Sequence, residues 1–240
     1  MHHTRQTQMF IGAMALAAAT ASGYALFQSH ALHLLFAAAV IGLAAVTSRM
    51  KVKLPGINGN MSVNLPFLLI AVVNLSAAEA LAVTLISTAV QCWPRKNAKF
   101  NAQQMAFNLC MMAFASCSAS LIYHSGWLAS AAWNSTPAGL ALAAATLFLG
   151  QTAPVAAIIS MSEQKSAASI WWNLAQLSFP YYVLSGGVCC MVETASSHVG
   201  WPLVLAVFPV TYGVHRSYRL YFANVFQAGG QEVLARAAGA

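Results

Sequence analysis

Side chains able to do chemistry are few in this chain, and most are of the wrong kind for catalysis. It has only four acids, Glu79, Glu163, Glu193 and Glu232, and none is paired with another at close spacing. There is no GxSxG, no HExxH and no glycine-rich phosphate loop ending in Lys-Ser or Lys-Thr. General acid–base catalysis needs a positioned acid and base, so the chain is expected to be non-enzymatic. Glu79 is the acid set in an apolar stretch. Acids inside a membrane are costly and usually functional, which would make it a proton or cation site. It also follows Ser76 by three residues, the spacing of a capping box, where the helix dipole favours a carboxylate. The second reading is the stronger.

Amides are the commoner polar residues: Asn64, Asn74, Gln103, Gln104, Asn108, Asn173 and Gln176 all lie in or near apolar stretches. One reading is hydrogen bonding between membrane helices. The other is a polar ligand pocket between the fifth and seventh helices, built on Asn108 and Asn173 and lined by Trp171, Trp172 and Gln176. Asn64, Asn108, Trp172, Asn173, Gln176 and Glu79 are thus the candidate ligand-binding residues. His30, His33, His124 and His198 would all reach the outer face. A metal or haem site needs converging neutral imidazoles, and no pair here has tight ligand spacing. They are weak candidates, no metal is assigned, and nothing identifies a cofactor. The five cysteines form no CxxC motif and are expected as small buried hydrophobes.

The elements that must position these residues follow from composition. Of 240 residues 59% are hydrophobic and only 6% charged, against about 25% charged in a soluble domain. This is the composition of an integral membrane protein. The net charge is +7, but the Lys and Arg sit at the ends of apolar runs, where they orient helices beside an anionic leaflet. No basic stripe suits a phosphate backbone, so nucleic acid is set aside as a partner.

The stretch from Arg49 to Lys99 sets the topology. An apolar run lies between two basic clusters, Arg49/Lys51/Lys53 and Arg95/Lys96/Lys99. A crossing needs roughly 20 apolar residues, and Lys and Arg collect on the cytoplasmic side. Both clusters are cytoplasmic if the chain goes out and returns, turning at Asn74-Leu75-Ser76. Two helices are predicted, Met61–Leu75 and Ala77–Trp93. The other helices are expected at Gln8–Phe27, Ala31–Ser48, Ala102–His124, Pro137–Met161, Ala167–Val192 and from Trp201 to about Phe226. The first is taken as a retained helix rather than a cleaved signal peptide. Pro154 should kink the sixth. Leu54–Asn60, with Pro55, Gly56 and Gly59, is a turn. The fold is therefore all-α, a bundle of about eight membrane helices with both termini cytoplasmic. Residues 1–226 form one domain, followed by a short, fraying cytoplasmic tail at 227–240. All eleven Lys and Arg then fall on one side. A weak internal repeat can be laid over Phe67–Ser87 and Leu140–Ser160, although it sets a helix hairpin against one helix.

The segment from Ser48 through LPGINGNMSVN to KFNAQQMAFN, and the end VHRSYRLYFANVF, resemble the multi-pass membrane sensor region that precedes HD-GYP or GGDEF domains in bacterial cyclic di-GMP signalling proteins. The resemblance implies cytoplasmic termini, a bacterial inner-membrane location and a sensor role. The chain carries no HD-GYP or GGDEF motif. A stand-alone sensor-like or accessory module is the expectation, with a ligand in the bundle, a signalling partner or other membrane subunits. The alternatives are a small-solute transporter and a haem- or metal-bearing redox protein.

Overall fold

The computed structural model describes residues 5–28, 32–53, 60–94, 100–125 and 136–238. The predicted turn at 54–59, the cluster Arg95/Lys96/Lys99, His30 and the loop 126–135 lie outside these. The described residues form α1 (Arg5–Gln28), α2 (Leu34–Ser48), strands β1 (Lys51–Lys53) and β2 (Asn60–Ser62), α3 (Leu65–Asn74), α4 (Ala77–Cys92), α5 (Ala102–Tyr123), α6 (Thr136–Glu163), α7 (Ala167–Val199), a 3-10 helix (Trp201–Ala206) and α8 (Val207–Ala238). Four helices are long and apolar enough to cross a membrane: Arg5–Phe27, Ala102–Tyr123, Thr136–Glu163 and Ala167–Ser196. Three shorter ones, α2, α3 and α4, are also apolar.

The α3–α4 hairpin forms where the polar interruption placed it. Leu75 is extended, and Ser76 caps α4 in a full capping box with Glu79. The start of α3 differs from expectation. Met61 and Ser62 are not helical; they pair antiparallel with Val52 and Lys51. Pro66 explains the shift. A helix begun at Met61 would put Pro66 in its interior, where a missing N–H and a ring clash are not tolerated; in the first turn it costs nothing. The alternation Lys51-Val52-Lys53 and Asn60-Met61-Ser62 about a Pro-Gly and Asn-Gly loop is a hairpin signal.

At ten residues, α3 is about 15 Å long, half a hydrocarbon core of about 30 Å. Every residue from Leu65 to Val73 is buried. It packs against α2, α4, α5, α6 and α7. The passage from β2 into α3, Val63 and Asn64, is itself buried in protein. Around α3, α5 packs against α1, α4 and α6, α6 packs against α7, and α2 packs against α4. The outer faces carry large apolar side chains, among them Leu16, Leu35, Leu149, Phe179 and Val183.

α6 and α7 run unbroken through Pro154 and Pro180. A continuous α6 and a broken α3–α4 give the two halves of the suggested repeat different shapes. α7 extends seven residues past Val192, to Val199. α8 continues to Ala238, through good helix formers such as Glu232, Leu234, Ala235 and Arg236.

Contacts sort the helix ends into two sets. Arg49 Nη1 donates to Val90 O at 3.0 Å and Trp93 O at 3.1 Å, tying the end of α2 to the end of α4. At the other end, the backbone N–H of His33 donates to the Glu79 carboxylate, Asn74 Nδ2 donates to Glu193 of α7, and His124 Nε2 lies 3.0 Å from Val72 O.

Candidate functional site

A cavity of about 380 Å³ lies at the arginine end, walled by α1, β2 and α3 through α7. Each element contributes for a local reason. The first turn of α3 brings Asn64, Leu65 and Leu68. The end of α4 brings Thr88 and Gln91. The start of α5 brings Phe107, Asn108, Met111 and Met112. The second half of α6 brings Gln151, Thr152, Val155 and Ile158. On α7, Leu174, Ser178, Tyr181 and Tyr182 recur at helical spacing and face inward.

The polar atoms of the wall are held in short chains. Tyr182 Oη donates to Gln151 Oε1 at 2.7 Å. Ser62 Oγ donates to Asn64 Oδ1 at 2.8 Å. The Leu65 backbone N–H donates to Tyr181 Oη at 3.2 Å, so a phenol from α7 closes the start of α3. Trp171 Nε1 donates to Thr152 Oγ1 at 3.1 Å, and Asn108 Nδ2 donates to Cys92 Sγ at 3.3 Å. Five buried side-chain N or O atoms among the described residues lack a partner. Three of them, Asn64 Nδ2, Thr88 Oγ1 and Gln151 Nε2, belong to this wall. Unpaired buried polar atoms are rare in native proteins and call for an explanation. Their concentration around one cavity marks it as the candidate site. Among the described residues lining it there is no Asp, Glu, Lys, Arg or His.

The expected ligand residues divide. Asn64 and Asn108 line the cavity. Trp172 is 57% exposed, and Asn173 and Gln176 are also exposed, on the outer face of α7 away from the cavity. α7 contributes instead the face one turn further along, and α6 completes the wall between α5 and α7. Glu79 lies at the opposite end of the bundle. It is 6% exposed, and it accepts from Ser76 N at 3.0 Å and Ser76 Oγ at 2.7 Å as well as from His33 N. That arrangement is the cap. His33 and His198 are exposed, His124 lies against Val72 O, and His30 is outside the described residues. No three His, Cys, Asp or Glu among the described residues group as a metal site.

Thr88, Gln151, Tyr181 and Tyr182 were not anticipated. Gln151-Thr152 interrupts an otherwise apolar run in α6, and Thr84, Thr88 and Gln91 recur on one face of α4; both patterns are visible in the sequence. No protein-family model, no curated protein and no solved structure matches this chain.

Proposed function

We propose that the protein is a non-enzymatic, multi-pass module of a bacterial inner membrane that binds a small molecule within its bundle and serves as a sensor-like or accessory unit. The cavity carries this reading. Ligand pockets span roughly 300–1,000 Å³, mostly apolar with a few placed polar groups, and three residues of this wall, Asn64, Thr88 and Gln151, carry a buried polar atom without a protein partner. In this proposal eight helical segments traverse the bilayer, α3 only partly, and both termini are cytoplasmic. Arg5, Arg49, Lys51 and Lys165 support that orientation. Arg5 and Arg49 sit at helix ends, Lys51 in β1 and Lys165 in the turn between α6 and α7, all on the cavity side, whereas Glu79 and Glu193 sit on the other.

The path from cavity to α8 supports a sensor role. The Tyr181 ring lies 6.2 Å from Tyr218 of α8 at 76°, and Tyr218 lies 5.7 Å from Phe222. Ser62 of β2 lines the cavity, and β1 packs on α8. A ligand that binds two arrangements of this wall unequally shifts α8 by the difference. α8 then addresses a signalling partner or another membrane subunit, as the resemblance to cyclic di-GMP sensor regions implies.

The test is purification in mild detergent, with native mass spectrometry and a visible spectrum of the same sample. A small-molecule adduct lost in a Val155→Phe variant is the expected result. A bare mass, together with a Val155→Phe variant of unchanged stability, would overturn the reading. One observation favours transport of a small solute instead: a half-length helix that starts at an internal cavity is a transporter device. Solute uptake into proteoliposomes that Val155→Phe abolishes would select transport.

A further inference from the structure

We infer that two copies of this chain associate through the outward face of α7, where Asn173 and Gln176 of each copy pair with their counterparts across a two-fold axis along the membrane normal. This holds whether or not the cavity takes a ligand.

Depth is the first argument. α7 supplies one of the four helices long and apolar enough to cross a membrane. Asn173 and Gln176 are exposed on it, and neither side chain makes a hydrogen bond among the described residues. Two bonds to α6 bracket their level. Trp171 Nε1 reaches Thr152 Oγ1, and Tyr182 Oη reaches Gln151 Oε1. Both acceptors stand within about 4 Å, along the axis, of the middle of the 28-residue α6. Asn173 and Gln176 lie between Trp171 and Tyr182, so a bilayer centred on α6 sets them in its hydrocarbon core. Lipid tails offer neither donor nor acceptor, and an amide turned to them is left unsatisfied at a cost. A second protein surface removes that cost, as amides do between membrane helices.

Shape is the second. With 3.6 residues per turn, Asn173, Gln176, Phe179, Val183, Gly187 and Met191 fall on one stripe, and all are exposed. α7 turns its other sides to α3, α6 and the 3-10 helix. From Asn173 to Met191 the stripe runs about 27 Å, most of a hydrocarbon core of about 30 Å. A Cβ at Gly187 would meet nothing within 4 Å, so this glycine is not required by packing inside its own chain. Small residues at such places let two membrane helices approach closely.

Complementarity selects a second copy as the occupant. Copies in one membrane share their orientation. A two-fold axis along the normal therefore sets each residue of one α7 level with the same residue of the other. A residue on that axis must be its own complement. A carboxamide is, because it carries N–H donors and a C=O acceptor. A charged residue would face its own sign, and residues 173–191 hold no Lys, Arg, His, Asp or Glu.

The test uses the full chain, its five native cysteines replaced, in liposomes. Val183→Cys, which leaves both amides in place, should form a disulfide-linked dimer with copper phenanthroline. Leu16→Cys, on the exposed face of α1, should not. Association is then followed by energy transfer between donor- and acceptor-tagged chains as lipid is added. Asn173→Leu/Gln176→Leu should associate about tenfold more weakly, as two amide pairs of membrane strength would give. Gly187→Leu, which its own chain has room for, should also weaken association. Thermal unfolding close to wild type shows each variant intact, and Gly187→Leu decides alone if the amide variant does not fold. A wild-type chain that stays monomeric, a dimer that neither variant weakens, or crosslinking at Leu16→Cys in place of Val183→Cys overturns the inference. Crosslinking of Val183→Cys in native membranes to a different polypeptide, with no dimer of this chain, gives the face to another subunit and overturns it too.

Discussion

The carboxylate of Glu79 accepts the backbone N–H of His33, the residue that caps α2, while closing the capping box on Ser76 of α4. One acid thus satisfies the N-termini of two helices that are 46 positions apart at this contact. Loss of a helix cap costs about 0.5–2 kcal/mol, and this carboxylate serves two. Glu79→Ala should lower stability by about 1–3 kcal/mol, with Glu79→Gln less harmful, read as thermal unfolding in detergent. An alanine variant as stable as wild type would refute the capping role.

The same end of the bundle holds α3 to α7 through Asn74 and Glu193. Groups in one contact are non-additive, by about 0.5–3 kcal/mol. Asn74→Ala and Glu193→Ala should each destabilise, and the double variant should cost less than their sum. Additive losses in the double-mutant cycle would mean the pair is not coupled.

α5 and α6 meet through small residues. A Cβ at Gly150 would stand 2.8 Å from the Ala115 Cβ and 3.2 Å from its Cα. Overpacking of this kind costs about 1–3 kcal/mol. Gly150→Leu should destabilise by that order, and adding Ala115→Gly should recover part of the loss. Full tolerance of leucine would show that the two helices can separate freely.

Tyr181 links the cavity to α8. Removing its hydroxyl leaves the Leu65 N–H buried without its acceptor, at a cost of about 1–3 kcal/mol. Tyr181→Phe should be less stable, while Tyr218→Phe, which keeps a ring at the stacking position, should be close to wild type. A reversal of that order would move the key contact from the hydroxyl to the ring.

Orientation can be read by thiol labelling after the five native cysteines are replaced. Arg5→Cys and Ser162→Cys are expected to react with an impermeant maleimide only from the cytoplasmic side, and His33→Cys only from the opposite face. Labelling of all three from one side would exclude the alternating arrangement of helices.

Much of this architecture can be read along the chain. The composition sets the membrane class, because 6% charged residues cannot clothe a water-facing surface. The break at Leu75 and the Ser76–Glu79 cap are local, decided within four residues by polar interruption and capping spacing. Asn64 and Asn108 stand out because amides are conspicuous in apolar helices. Other features belong to the tertiary structure alone. α3 could not be seen as a fully enclosed half-helix, since an apolar segment looks the same whether lipid or protein surrounds it. The inward face of α7 was equally hidden: apolar and aromatic residues occur all round it, so the sequence does not show that Tyr181 and Tyr182 turn inward while Asn173 and Gln176 turn out. Nor could the cavity be read from any one segment. Its walls come from α1, β2 and α3 through α7, and only packing brings them together.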